Sequence, residues 1–127
     1  MIDYFDSLSD YAKNIYDGTI SSLEVVRMTI ERINKLDRHI NAIVCRNFEN
    51  ALLEAKKADE KRLQGSFLGP LHGVPITIKE AFDLVGLPTT WGVAKYKNNV
   101  AKCDALVVEK LKNSGAILLG KSMSHSC

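Results

Sequence analysis

No stretch of this 127-residue chain stays apolar for the roughly 20 residues that a membrane-crossing helix needs, so no membrane partner is expected. A strong charge of either sign is also missing. The 17 lysines and arginines are nearly balanced by 15 aspartates and glutamates, leaving +2, and the two signs are mixed along the chain. That balance argues against a nucleic-acid or anionic-membrane surface. Cysteine is scarce: Cys45, Cys103 and Cys127 are odd in number and far apart, which excludes a disulfide framework and a zinc knuckle. Cys45 lies in an apolar strand pattern and is read as a core residue. The opening Met1-Ile2-Asp3-Tyr4-Phe5-Asp6 has two acids where a secretory leader would carry basic residues before an apolar run, so a cytosolic (cytoplasmic) protein is expected. Repeats and low-complexity tracts are absent too. What remains is 46% hydrophobic and 25% charged, enough for one globular domain with a buried core.

Punctuation divides the chain. Ser7 and Asp10 can cap a first helix that Gly18 would end in a left-handed conformation. Ser21 and Glu24 form a capping box for a second helix, with Leu23, Val26, Ile30 and Ile33 on one face and a Glu31–Lys35 pair on the other. Asn41 to Arg46 reads as a short strand. A third helix is expected over Phe48–Leu63, with Phe48, Ala51, Leu52, Ala55, Ala58 and Leu63 inward. Its alternating charges from Glu54 to Arg62 read as a solvated face. Gly65 closes that helix, and a buried strand follows from about Val74 to Ile78. Beyond a loop containing Gly86, Pro88 and Gly92, Asp104 is expected to cap a fourth helix running to Asn113. Ala116 to Leu119 then forms a last strand. This order predicts an α/β fold with part of a mixed, mainly parallel sheet covered by helices (residues 39–127), behind a helical lead-in (residues 1–38).

Lys79 is the candidate for chemistry. Alternation along an extended strand sends Val74, Ile76 and Ile78 to one face and Pro75, Thr77 and Lys79 to the other. The lysine thus ends a strand whose two faces read as buried, at the kind of sheet edge where reactive groups gather in open α/β folds. A desolvated ammonium there could serve as a general base. Position alone favours an ordinary surface lysine.

The wider segment decides more. Gly69-Pro70-Leu71-His72-Gly73-Val74-Pro75-Ile76-Thr77-Ile78-Lys79-Glu80-Ala81-Phe82-Asp83, then Gly86-Leu87-Pro88-Thr89-Thr90-Trp91-Gly92, then Asp104-Ala105-Leu106-Val107-Val108-Glu109-Lys110-Leu111, then Gly115-Ala116-Ile117-Leu118-Leu119-Gly120-Lys121-Ser122 resembles the amidase signature family. The N-terminal helices resemble the same family, so the likeness covers nearly the whole chain. It implies the incomplete front part, about the first quarter, of an enzyme that hydrolyses carboxamide C–N bonds without a metal or organic cofactor. A small-molecule amide is the implied substrate of the complete enzyme. In that family a serine attacks the carbonyl, a second serine in a cis peptide relays protons, and a lysine is the base. Lys79 matches that lysine by motif. The Gly-x-Ser-Ser-Gly-Gly-Ser loop that would carry the serines is not in the sequence, so this chain alone is expected to be inactive. Glu80 stands where the family often has aspartate, and Met123-Ser124-His125 replaces an Asn-containing run.

Other motifs point elsewhere. Gly115 to Ser122 satisfies the phosphate-loop pattern, but a helix precedes it and an aliphatic strand run fills it, so it is rejected as a nucleotide site. Ser122, Ser124 and Ser126 lack the glycines of an oxyanion loop and read as the loop after the last strand. His72 reads as fixing a turn, His39 as surface, and Trp91 as an anchor for the loop after Lys79. His125 and Cys127 are too few to hold a metal. Two alternatives to an amidase fragment stand: a piece of the transamidating amidotransferase subunit, and a free-standing non-catalytic scaffold or binding module. Because a sheet of about three strands would leave apolar edges open, self-association is expected.

Overall fold

The computed structural model describes residues 3–123. Two helices, α1 (Leu8–Asp17) and α2 (Ser22–Leu36), lead into β1 (Ile43–Arg46), α3 (Phe48–Leu63), β2 (Pro75–Lys79), α4 (Leu106–Asn113) and β3 (Ile117–Ser122). The capping signals of α1 and α2 work as expected. Ser7 with Asp10 and Ser21 with Glu24 each form a reciprocal capping box, and Gly18 ends α1 at φ 75°. These boxes hold the Asp10 and Glu24 carboxyls below their ordinary values, through the Ser7 side-chain and backbone hydrogen bonds and the Ser21 backbone and side-chain hydrogen bonds respectively.

The sheet order is β1-β3-β2. β2 and β3 are parallel, joined through α4, whereas β1 runs antiparallel to β3. The sheet is therefore mixed, as expected, with one parallel and one antiparallel pairing. β1 reaches β3 through α3, β2 and α4, so no single short crossover fixes its direction.

One face of the sheet packs Ile117 and Leu119 against Val26 of α2 and Ala51, Ala55 and Ala58 of α3. The other packs Ile78 and Leu118 against Leu84 and Val108. Burying an aliphatic side chain of this size contributes about 1.5–3 kcal/mol, and both faces of β3 are covered this way.

Several expectations change at this level. Leu63 is 76% exposed: five residues beyond Ala58 it has turned about 140° off the inward stripe. Asp59 is more than part of a solvated face, because its carboxylate accepts the Ser22 and Leu23 backbone N–H groups at 2.7 and 3.0 Å and ties α3 to the start of α2. Asp104 does not cap α4, whose cap residue is Ala105. Its carboxylate instead accepts from the Val85 N–H and from Lys112 Nζ, both at 2.8 Å. Burial pushes this carboxyl up, but the bonds from Lys112 and Val85 and the Lys112 charge leave it below its ordinary value. Cys45 is half-buried rather than a full core residue.

Candidate active site

Lys79 is the last residue of β2, in register with Ser122 at the end of β3. Its neighbours on the two faces differ. Ile78 is 9% exposed, while Thr77 and Lys79 are exposed. The face carrying Lys79 is therefore uncovered among the described residues, and the burial expected of a base is not found there among them. A cleft of about 440 Å3 between α1 and α2, lined by Tyr11, Asn14, Glu24 and Met28 among others, includes no residue of the 79–92 segment.

The covered face at the same strand ends holds charge that the local sequence pattern does not reveal. β3 extends to Ser122, three residues past its expected end at Leu119, and carries Lys121 into the interior at 0% exposure. The backbone of the phosphate-loop pattern is thus committed to a sheet, and its lysine is inside the protein. Nucleotide binding through that motif is excluded by this geometry. Ser122 is a strand residue, not a loop residue, with its hydroxyl 3.4 Å from the Ile78 carbonyl. Ser124, Ser126, His125 and Cys127 lie outside the described residues.

Lys121 Nζ donates to the Pro88 carbonyl and to Thr89 Oγ1, each at 2.8 Å, and Thr89 Oγ1 donates to Asp83 at 2.6 Å. Burial pushes the Lys121 ammonium below its ordinary value against the opposing pull of Glu80, Cys45 and Asp83. Glu80 is 3% exposed. Its Oε1 accepts the Thr90 N–H and its Oε2 the Trp91 N–H at 3.0 Å. Lys79 and Glu80, adjacent in sequence, are thus separated by the pleat into an exposed cation and a buried anion. The alternation is readable from the strand pattern; which face is covered, and the partners of Glu80 ten and eleven residues ahead, are not.

His72 is buried and bridges two elements. Its Nδ1 accepts the Leu68 N–H at 3.0 Å, which leaves Nε2 as donor to the Ala58 carbonyl at 2.8 Å. It fixes the turn before β2 to α3, as its setting beside Gly73 suggests. His39 is exposed at the end of a 3-10 turn. Trp91 has φ 51° and is 49% exposed, with its ring edge-to-face on Tyr96 at 5.7 Å. It is anchored through its backbone rather than its ring.

The family model for amidases matches residues 24–126, a span that includes Lys79 and the whole loop behind it. The chain belongs to the Amidase family. Among Amidase-family relatives, an indoleacetamide hydrolase of Bradyrhizobium diazoefficiens is 43% identical over 114 residues, covering 90% of this chain and 22% of the relative. One of the glutamyl-tRNA(Gln) amidotransferase subunits of Streptomyces coelicolor is 34% identical, covering 90% of this chain and 23% of that relative. The solved structure of native peptide amidase from Stenotrophomonas maltophilia superposes with a TM-score of 0.87 at 29% identity, over 94% of this chain and 25% of that one. The chain therefore spans about a quarter of the length of the relatives it matches, and carries the α/β arrangement of that quarter.

Proposed function

We propose that this chain forms the lysine-bearing part of an amidase-type hydrolase of carboxamide C–N bonds, with Lys79 as the general base. The observation that carries the reading is the placement of Lys79: it ends β2 beside β3, within the match to the Amidase model over residues 24–126. Serine is too weak an acid to attack a carboxamide unaided, so a base must take its proton as the C–O bond forms and return one to the leaving nitrogen. A lysine can do this when neutral, and a surrounding wall that removes water favours the neutral form. In this reading the wall and the two serines come from sequence outside this chain, the substrate is a small-molecule amide, and the protein acts in the cytosol. A second reading, a piece of a transamidating amidotransferase, is supported by the 34% identity to a protein of that kind; the 43% match to a hydrolase favours the first.

The test is a chimera in which this chain replaces the matching quarter of the indoleacetamide hydrolase, assayed for ammonia release from indole-3-acetamide. A folded chimera is expected to turn over, and Lys79→Ala to lower kcat by about 10³-fold or more with its melting temperature unchanged. A folded but inactive chimera, or full activity in Lys79→Ala, would refute the reading. The 127-residue chain by itself is expected to release no ammonia above buffer.

A further inference from the structure

Four consecutive loop residues are gripped by two buried charges. Lys121 holds Pro88 through its carbonyl and Thr89 through its hydroxyl. Glu80 holds Thr90 and Trp91 through their backbone N–H groups. The grip is deeply enclosed: Lys121, Thr89 and Glu80 are 0%, 1% and 3% exposed. It is also reinforced from outside, since Thr89 and Asn99 exchange backbone and side-chain hydrogen bonds at 2.9 Å. Beyond Thr90 the chain is exposed, and Trp91 holds a left-handed φ that a bulky residue adopts only when its surroundings impose it. Both charges sit where the strand ends require them. Glu80 directly follows Lys79, with its N–H bonded to the Ser122 carbonyl at 2.8 Å, and Lys121 is the register partner of Ile78.

We propose that Glu80 and Lys121 are a pair of positioning residues that clamp the Pro88–Trp91 loop against the carboxyl end of β2, on the face opposite Lys79, and so fix the strand end that carries it. The inference rests on the base role given to Lys79. Neither residue touches substrate. Each acts through the loop: Lys121 on Pro88 and Thr89, Glu80 on Thr90 and Trp91. The negative charge of Glu80 matters more than its size: a carboxylate accepts two N–H groups at once, whereas a carboxamide of the same shape offers one acceptor oxygen and turns a donor toward the second N–H.

The experiment compares Glu80→Gln, isosteric but neutral, with Glu80→Asp, shorter but charged, by amide hydrogen exchange resolved at Thr90 and Trp91 in the 127-residue chain. Glu80→Gln is expected to speed exchange at these two amides by about tenfold or more, with the amides of α2 and α3 unchanged, and Glu80→Asp to stay within a few-fold of the parent. Lys121→Met should speed the same two amides, and if that variant unfolds, the Glu80 pair still decides. Equal behaviour of Gln and Asp, or a uniform rise over all amides, would overturn the clamp. In the chimera, kcat should fall about tenfold in Glu80→Gln and recover in Glu80→Asp. Expected exchange with an inactive parent chimera would leave the clamp standing and remove the hydrolase reading. Unchanged exchange in an active chimera would remove the clamp alone.

Discussion

Lys79 and Lys121 end neighbouring parallel strands one register step apart, and they are opposites. Lys79 is exposed, and no hydrogen bond involves its side-chain nitrogen among the described residues. Lys121 is wholly buried with two hydrogen bonds. The pleat separates them: Lys79 falls on the face where cover is missing, Lys121 on the face closed by the Leu84–Trp91 loop and α4. A lysine kept for chemistry must stay free to lose and regain a proton, while a lysine kept for architecture must never lose its partners. With Lys79 as the proposed base, the two sites would separate those demands.

The comparison breaks most sharply if the roles are exchanged. Lys79→Ala should remove about 10³-fold or more of kcat in the chimera, equivalent to about 4 kcal/mol or more of transition-state stabilisation, yet shift unfolding free energy by no more than about 0.5 kcal/mol, as exposed substitutions do. Lys121→Met should do the reverse. Loss of the buried Lys121 cation, which attracts Glu80 and holds Pro88 and Thr89, is expected to cost about 3–5 kcal/mol in urea unfolding, and the double variant with Glu80→Gln should recover part of that loss. Large destabilisation by Lys79→Ala, or none by Lys121→Met, would erase the distinction.

Legibility in the sequence depends on distance along the chain. Capping boxes at Ser7 and Ser21, the Gly18 stop and the span of α3 are local events within three or four residues, and they stand in the structure as expected. The place of Lys79 at a strand end follows from a short apolar run and the family resemblance. What fails is long-range. Asp104 reads as the cap of the nearest helix, but its partners Val85 and Lys112 lie 19 residues before it and 8 after it. Lys121 reads as part of a phosphate-loop pattern because nothing local shows that the strand continues through Gly120. Its partners Pro88 and Thr89 lie 33 and 32 residues upstream. Burial of Ile76 and Ile78 is readable; exposure of the Thr77–Lys79 face is not, because alternation separates two faces without saying which one is covered.

Gly120 offers a smaller test of the same strand. It has φ 156°, and a Cβ there would drive into the Cys45 carbonyl oxygen on β1. Backbone cannot yield as a flexible side chain can, so Gly120→Ala is expected to cost about 3 kcal/mol, read by urea unfolding, through separation of β1 from β3. The loss should fall on the register that carries Lys121. Amides of β1 should exchange faster, and those of α1, which packs against Val25 and Val74, should be unaffected. A neutral Gly120→Ala would mean that the β1–β3 pairing adds little, and that Lys121 is held by the loop alone.

The smallest effect, and the one that weighs the two forces on Lys121 against each other, is alkaline stability. Burial lowers the Lys121 proton affinity, while Glu80, Cys45 and Asp83 raise it, and the net direction is down. The unfolded chain then binds more protons at this site than the folded one between the folded value and about pH 10.4, so the contribution of Lys121 to unfolding free energy should rise with pH across that window. Tyr11 and Cys45 work the other way: burial pushes both above their ordinary values, so their contributions fall as the unfolded chain ionises first. Comparing the parent with Lys121→Met, both in a Cys45→Ala background, leaves Tyr11 common to the pair and removes the thiol coupled to Lys121. The stability gap between the two proteins, measured by urea unfolding from about pH 7.5 to about pH 10, should widen as pH rises. A gap that narrows would show the carboxylates outweighing burial, and Lys121 would then be a stabilising ion-pair partner rather than a cation held in place at a cost to the fold.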